Sequence, residues 1–177
     1  MPPQGYAPAP KSVNFGALWN DNTKRPLFYM FGIAFTVLIA MFFNYVAIDL
    51  WFDTYGISGY RIIGFMDEAG AISILVLFSL IISIGIMVFA ALDLFKAGMN
   101  KRLLKLVFMI SSLAYATISL IILTAIASTS DFTVGFGAIL NFLLGGGMVF
   151  VYFFFLNKIY ANKPVSPQNI YNQPMGM

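Results

Sequence analysis

The sequence predicts an all-α integral membrane protein, an antiparallel bundle of four transmembrane helices, and three observations carry that expectation. Hydrophobic residues make up 60% of the 177 and charged residues 10%, where a soluble domain carries about 25% charged. The mean hydropathy is +0.85, with 19 Phe and 9 Tyr, more apolar surface than a globule of this length has interior to hide. Apolar runs without a central charge, each close to the roughly 20 residues that cross a bilayer core as a helix, occur at 27–48, 71–95, 103–127 and 133–156.

Residues 1–26, ahead of the first run, are rich in Pro, Asn and Gly, a composition that buries too little surface to fold alone. They are expected as a tail. Within it, Phe15, Leu18 and Trp19 ahead of Lys24 and Arg25 have the make-up of a short interfacial helix. The opening MPPQGYAPAP lacks a charged region and the first run is longer than a signal-peptide core, so no cleavage is expected.

Along the first span, Gly32, Thr36, Ala40 and Asn44 recur four apart and so share one helical face. Helices in lipid associate through such small residues, which makes this stripe the expected packing seam. Phe35, Phe42 and Phe43 then face lipid. The connection 49–70, DLWFDTYGISGYRIIGFMDEAG, carries rings that settle at a membrane interface and glycines that permit turns. It is expected to lie flat on the outer surface. Its length exceeds what joining neighbouring helices needs, so two readings stay open: a strap, or a docking element in which Trp51, Tyr55, Tyr60, Arg61 and Phe65 meet a partner. Asp49 and Asp53 alone make a weak cation site, and Asp67–Glu68 suit the positive end of the second helix.

The second span offers Ser79 and Ser83, with Asp93 and Lys96 as a solvated pair at its end. Ser112, Ala116 and Ser119 form the seam of the third span, and Gly137, Asn141 and Gly145 that of the fourth, extended by Gly146 and Gly147. The glycine triplet reads as close packing rather than a helix break of the transporter kind. Asn44 and Asn141 are expected to pair across helices in the outer half of the bilayer. The spans form one domain, 27–157, and 158–177 form a second polar tail whose PVSP segment fits the loose PxxP pattern.

Cations flank the first, third and fifth polar segments, at Lys11, Lys24, Arg25, Lys96, Lys101, Arg102, Lys105, Lys158 and Lys163; the alternate connections carry Arg61 among several acids. The positive-inside rule therefore predicts a multi-pass chain with both termini cytoplasmic. The cations form no basic stripe with interleaved aromatics, so nucleic acid is not an expected partner. With neither Cys nor His, disulfides, thiol redox chemistry, thiolate zinc and bis-histidine haem are excluded. No ionisable side chain sits near mid-span, where proton relays and coupled transport need one, and no nucleophile–base pair is legible. No enzyme activity, metal or cofactor is expected. The function expected is that of a non-enzymatic accessory or scaffold subunit, its partners being the lipid bilayer and other membrane subunits or copies of itself. The alternative is a channel or transporter subunit, with Asn44, Asn141 and Ser111, Tyr115, Thr117, Ser119 and Thr124 of the third span lining a polar route.

Overall fold

The computed structural model describes residues 15–50, 53–64, 66–95, 99–129 and 132–161, and most of them are helical. In order the elements are α1 (Phe15–Asn20), α2 (Arg25–Ala40), β1 (Asn44–Leu50), β2 (Asp53–Ser58), α3 (Gly59–Gly64), α4 (Met66–Phe95), α5 (Lys101–Ala127), β3 (Thr133–Val134) and α6 (Phe136–Val151). A π-helical turn, Tyr152–Leu156, carries α6 directly into α7 (Asn157–Ala161). Three stretches, Gly70–Phe95, Lys101–Ala127 and Phe136–Tyr160, are long and apolar enough to cross a membrane.

The helix expected over 27–48 stops at Ala40. Its 16 residues rise about 24 Å, short of a hydrocarbon core of about 30 Å. The chain turns at Met41–Phe43, then extends, because Tyr45, Val46 and Ile48 suit a pleated strand and a partner strand follows at Asp53. β1 pairs antiparallel with β2, Asn44 opposite Ser58 and Leu50 opposite Asp53, with an irregularity between Asn44 and Val46. On its other edge Val46 and Ala47 meet Val134 and Thr133. The expectation of an all-α chain is thus corrected by a three-stranded sheet of order β2-β1-β3. For the same reason the last span begins at Phe136 rather than 133, and its helix runs past 156 to Ala161.

The connection expected to lie flat on the surface, as a strap or a docking element, is structured as β2, α3 and the first turn of α4. That turn ends at Gly70, whose φ of 53° and ψ of −126° interrupt the helix. A residue with a Cβ is strained in that conformation, whereas glycine is not. At the far side of the molecule, the Asp21 carboxylate accepts hydrogen bonds from the Thr23 hydroxyl at 2.7 Å and the Thr23 N–H at 2.8 Å, forming the turn between α1 and α2. Those two bonds hold its carboxyl below the usual range.

α2 packs on α4 and α6, and α5 packs on the same two helices. The buried positions of α5, Leu104, Phe108, Ser112, Tyr115, Ser119, Ile122 and Ile126, recur every three or four residues, the spacing of a single inward stripe. Contacts fix which ends meet. The Lys24 ammonium donates to the Asp93 carbonyl, Tyr160 donates to the Asp93 carboxylate at 2.6 Å, and the Phe108 and Tyr160 rings stack at 6.4 Å. The starts of α2 and α5 therefore share one end with the close of α4 and α7. The strands gather at the other, where the Gly135 N–H donates to the Tyr45 carbonyl at 2.9 Å and the Phe43 and Phe136 rings meet edge to face at 5.6 Å. Bulky residues such as Phe35, Phe78, Leu143 and Phe154 stand exposed around the outside, as a lipid-facing surface would require.

Candidate functional site

A set of buried polar side chains runs through the helix packing. Ser79 and Ser83 of α4, Ser112 and Ser119 of α5 and Asn141 of α6 are all fully buried there, together with the phenols of Tyr45 and Tyr115. Tyr115 donates its hydroxyl to the Asn141 carbonyl oxygen, and the Ser83 hydroxyl lies within hydrogen-bonding reach of the same phenol. Ser83 also donates to the Ser79 carbonyl at 2.9 Å, and Ser79 to the Val76 carbonyl at 2.8 Å. Among the described residues three buried atoms have no protein hydrogen-bond partner: the Tyr45 hydroxyl, the Ser112 hydroxyl and the Asn141 amide nitrogen. Each is a group whose burial without a partner costs about 1–3 kcal/mol.

Glycines create the room for the tyrosine rings. A Cβ at Gly137 would sit 2.8 Å from the Tyr45 ring and one at Gly59 would sit 2.9 Å from it, so α6 and α3 grip that ring from two sides. A Cβ at Gly145 would lie 2.8 Å from the Ser119 hydroxyl, 3.2 Å from the Ala116 Cα and 3.2 Å from the Tyr115 ring. α5 and α6 thus touch through Ala116 and Gly145, the close approach that small residues permit. Gly146 meets nothing within 4 Å and Gly147 only Ile33 at 3.6 Å. The helix runs through the triplet without a break.

The residues singled out in the sequence fall into distinct places. Ser112, Ala116, Ser119, Gly137, Asn141 and Gly145 come together on the inward faces of α5 and α6. The first-span stripe does not. A Cβ at Gly32 would meet nothing within 4 Å, and Thr36 donates to the Gly32 carbonyl of its own helix at 2.8 Å. Only Ala40 of that stripe is fully buried; the inward face of α2 is Leu27, Met30, Ala34, Val37 and Ala40. Asn44 sits on β1, its amide crossing over Gly56, where a Cβ would collide with it. Asn141 has Tyr115 rather than Asn44 as its partner, because the strand carries Asn44 away from a helical register.

Of the third-span residues considered for a polar route, Tyr115 and Ser119 are buried, whereas Thr117 and Thr124 are exposed and donate to their own helix at Leu113 and Leu120, at 2.9 and 3.0 Å; Ser111 is half-buried. In the connection, Tyr55 and Arg61 are exposed. Tyr60 is turned inward, donating to the Leu38 carbonyl at 3.2 Å and packing on Phe42 at 4.6 Å. Trp51 and Phe65, like Lys96 beside Asp93, the tail segment PVSP and residues 1–14, lie outside the described residues. Among the described residues no three His, Cys, Asp or Glu converge on a metal site.

Sequence reasoning passed over Tyr45 and took Gly59 only as a turn glycine. A signal existed: a tyrosine inside an apolar run brings a hydroxyl that must find a partner or stay unpaired. Serine, tyrosine and asparagine are groups that donate and accept hydrogen bonds while keeping their protons at ordinary pH. The cluster can therefore fix helix register or hold a neutral hydrogen-bonding guest. No protein-family model matches the chain, and neither does any curated protein or solved structure.

Proposed function

We propose that the chain is a four-pass membrane protein, α2 with the start of β1 making the first crossing, and that it serves as a non-enzymatic accessory or scaffold subunit of a larger membrane assembly or homo-oligomer. The observation that carries this reading is the filling of the bundle axis. The Tyr45 and Tyr115 rings, seated against Gly59, Gly137 and Gly145, interrupt any polar path along the centre, and Leu104, Phe108 and Leu156 close the cation-bearing end. Filled bundles of this kind position surfaces, and two are on offer: the β1–β2 hairpin and α3, with exposed Tyr55 and Arg61, and the outer faces of bulky side chains. With both termini and the α4–α5 connection on the cytoplasmic side, the positive-inside rule is satisfied by Lys24, Arg25, Lys101, Arg102, Lys105 and Lys158.

Affinity isolation in mild detergent, with the mass of the complex and the identity of co-purified chains, tests this. A defined complex larger than one chain is expected; a homogeneous monomer with no companion in every detergent would contradict it. The second reading, a channel or transporter subunit, draws on the three buried polar atoms without a protein partner, which are the sort of group that lines a route for water or a neutral solute. Flux through liposomes holding the purified chain, abolished by Asn141→Leu with assembly intact, would establish that reading instead.

A further inference from the structure

At the cation-bearing end, α2 and the π-turn–α7 segment run side by side, and their contact carries a layered pattern. Tyr29 of α2 meets Phe155 of the π-turn edge to face at 6.4 Å, and Trp19 of α1 meets Tyr29 at 6.0 Å. All three rings keep more than a third of their surface exposed. Arg25 lies one turn before Tyr29 on α2, and Lys158 lies three residues after Phe155, in α7. Because α2 starts at this end and α7 closes at it, both steps lead toward the same edge, so the exposed aromatic patch has Arg25 and the exposed Lys158 on its endward side. The Arg25 Nε donates to the Trp19 backbone carbonyl at 3.3 Å, which holds the guanidinium at the close of α1. Acidic groups at this end are already engaged, Asp21 by Thr23 and Asp93 by Tyr160.

We propose that this patch is a binding site for one anionic phospholipid, its acyl chains against Tyr29 and Phe155, its phosphate at Arg25 and Lys158, and Trp19 at the headgroup boundary. The proposal rests on the membrane reading and adds a lipid preference to it. Aromatic rings one turn below paired cations match the order of a lipid's own chemistry, apolar chain then phosphate, whereas free phosphate would gain nothing from the rings. Each cation near an anionic headgroup is expected to favour it about fivefold over a zwitterionic one.

The chain has two tryptophans, so Trp51→Phe leaves Trp19 as the sole reporter. This full-length variant is reconstituted in phosphatidylcholine vesicles containing an equal fraction of brominated phosphatidylcholine or brominated phosphatidylglycerol, and quenching gives the relative lipid affinity at Trp19. A preference of about fivefold or more for the anionic lipid is expected. Adding Arg25→Gln and Lys158→Gln should bring the ratio to about one, while Lys101→Gln with Arg102→Gln should leave it unchanged. Equal quenching by the two lipids in the reporter variant overturns the lipid site and leaves the membrane reading standing, and needs no further variant to fold. Persistence of the preference without Arg25 and Lys158 also overturns the site. No quenching by either lipid overturns the site and the membrane reading together.

Discussion

Asn141 illustrates how one buried side chain ties two helices. Its carbonyl oxygen is the acceptor for Tyr115, so Tyr115→Phe strips the amide of its protein partner and should destabilise the fold by about 1–3 kcal/mol, read as thermal unfolding in detergent. Combining it with Asn141→Leu removes both polar groups and should recover much of that loss; simple additivity of the two substitutions would refute the pairing. Gly70 sits at φ 53°, and Gly70→Ala should cost about 1–3 kcal/mol through backbone strain alone, since nothing lies within 4 Å of the added methyl. A cost near zero would mean that the turn simply relaxes. Asp21 links residue chemistry to pH. Its folded pKa lies below the ordinary value, so its contribution to the α1–α2 turn is complete above the usual carboxylate range and is lost as pH falls through the lowered value. Trp19 emission should therefore hold steady near neutrality and shift on acidification, and Asp21→Asn should flatten that shift.

The contact of α5 with α6 separates close packing from helix propensity. Gly145→Val forces a side chain against the Ala116 backbone at 3.2 Å and should destabilise by about 1–3 kcal/mol or more. Its neighbour Gly146 meets nothing within 4 Å, so Gly146→Ala should be neutral or stabilising by up to about 1 kcal/mol. Equal effects at the two positions would remove the argument for an Ala116–Gly145 contact. The inward faces of α5 and α6 were legible in the sequence because a spacing of four places small residues on one helical side whatever lies opposite. The end of α2 was not. The run 27–48 is uniformly apolar, and composition alone does not distinguish the close of a helix from the start of a buried strand. The cue was local: Asn44, then Tyr45, Val46 and Ile48, then aromatic and acidic residues that return through Thr54 and Tyr55 to Gly56. A strand forms only when its partner is near, and the partner lay beyond the apolar run, in the segment left open between a strap and a docking element. Gly32 and Thr36 were assigned to a seam from the spacing of small residues alone, whereas α2 makes its seam with Met30, Ala34 and Val37.

For the molecule as a whole, hydropathy fixed the class and the cation distribution gave its expected orientation, but the number of crossings depends on one short helix. Gly70–Phe95, Lys101–Ala127 and Phe136–Tyr160 reach across a bilayer by length; α2 reaches only with the help of the start of β1. The two possibilities put different parts of the surface on the same side. If α2 crosses, α1 and the start of α5 share one side and the hairpin faces the other; if it does not, α1 and the hairpin stand together. The chain has no cysteine, so Asn20→Cys, Tyr55→Cys and Lys101→Cys each supply a single reactive site. Labelling these variants in sealed, oriented vesicles with a membrane-impermeant thiol reagent should modify Asn20→Cys and Lys101→Cys from one side and Tyr55→Cys from the opposite side. Modification of Asn20→Cys and Tyr55→Cys from the same side would contradict the four-pass bundle.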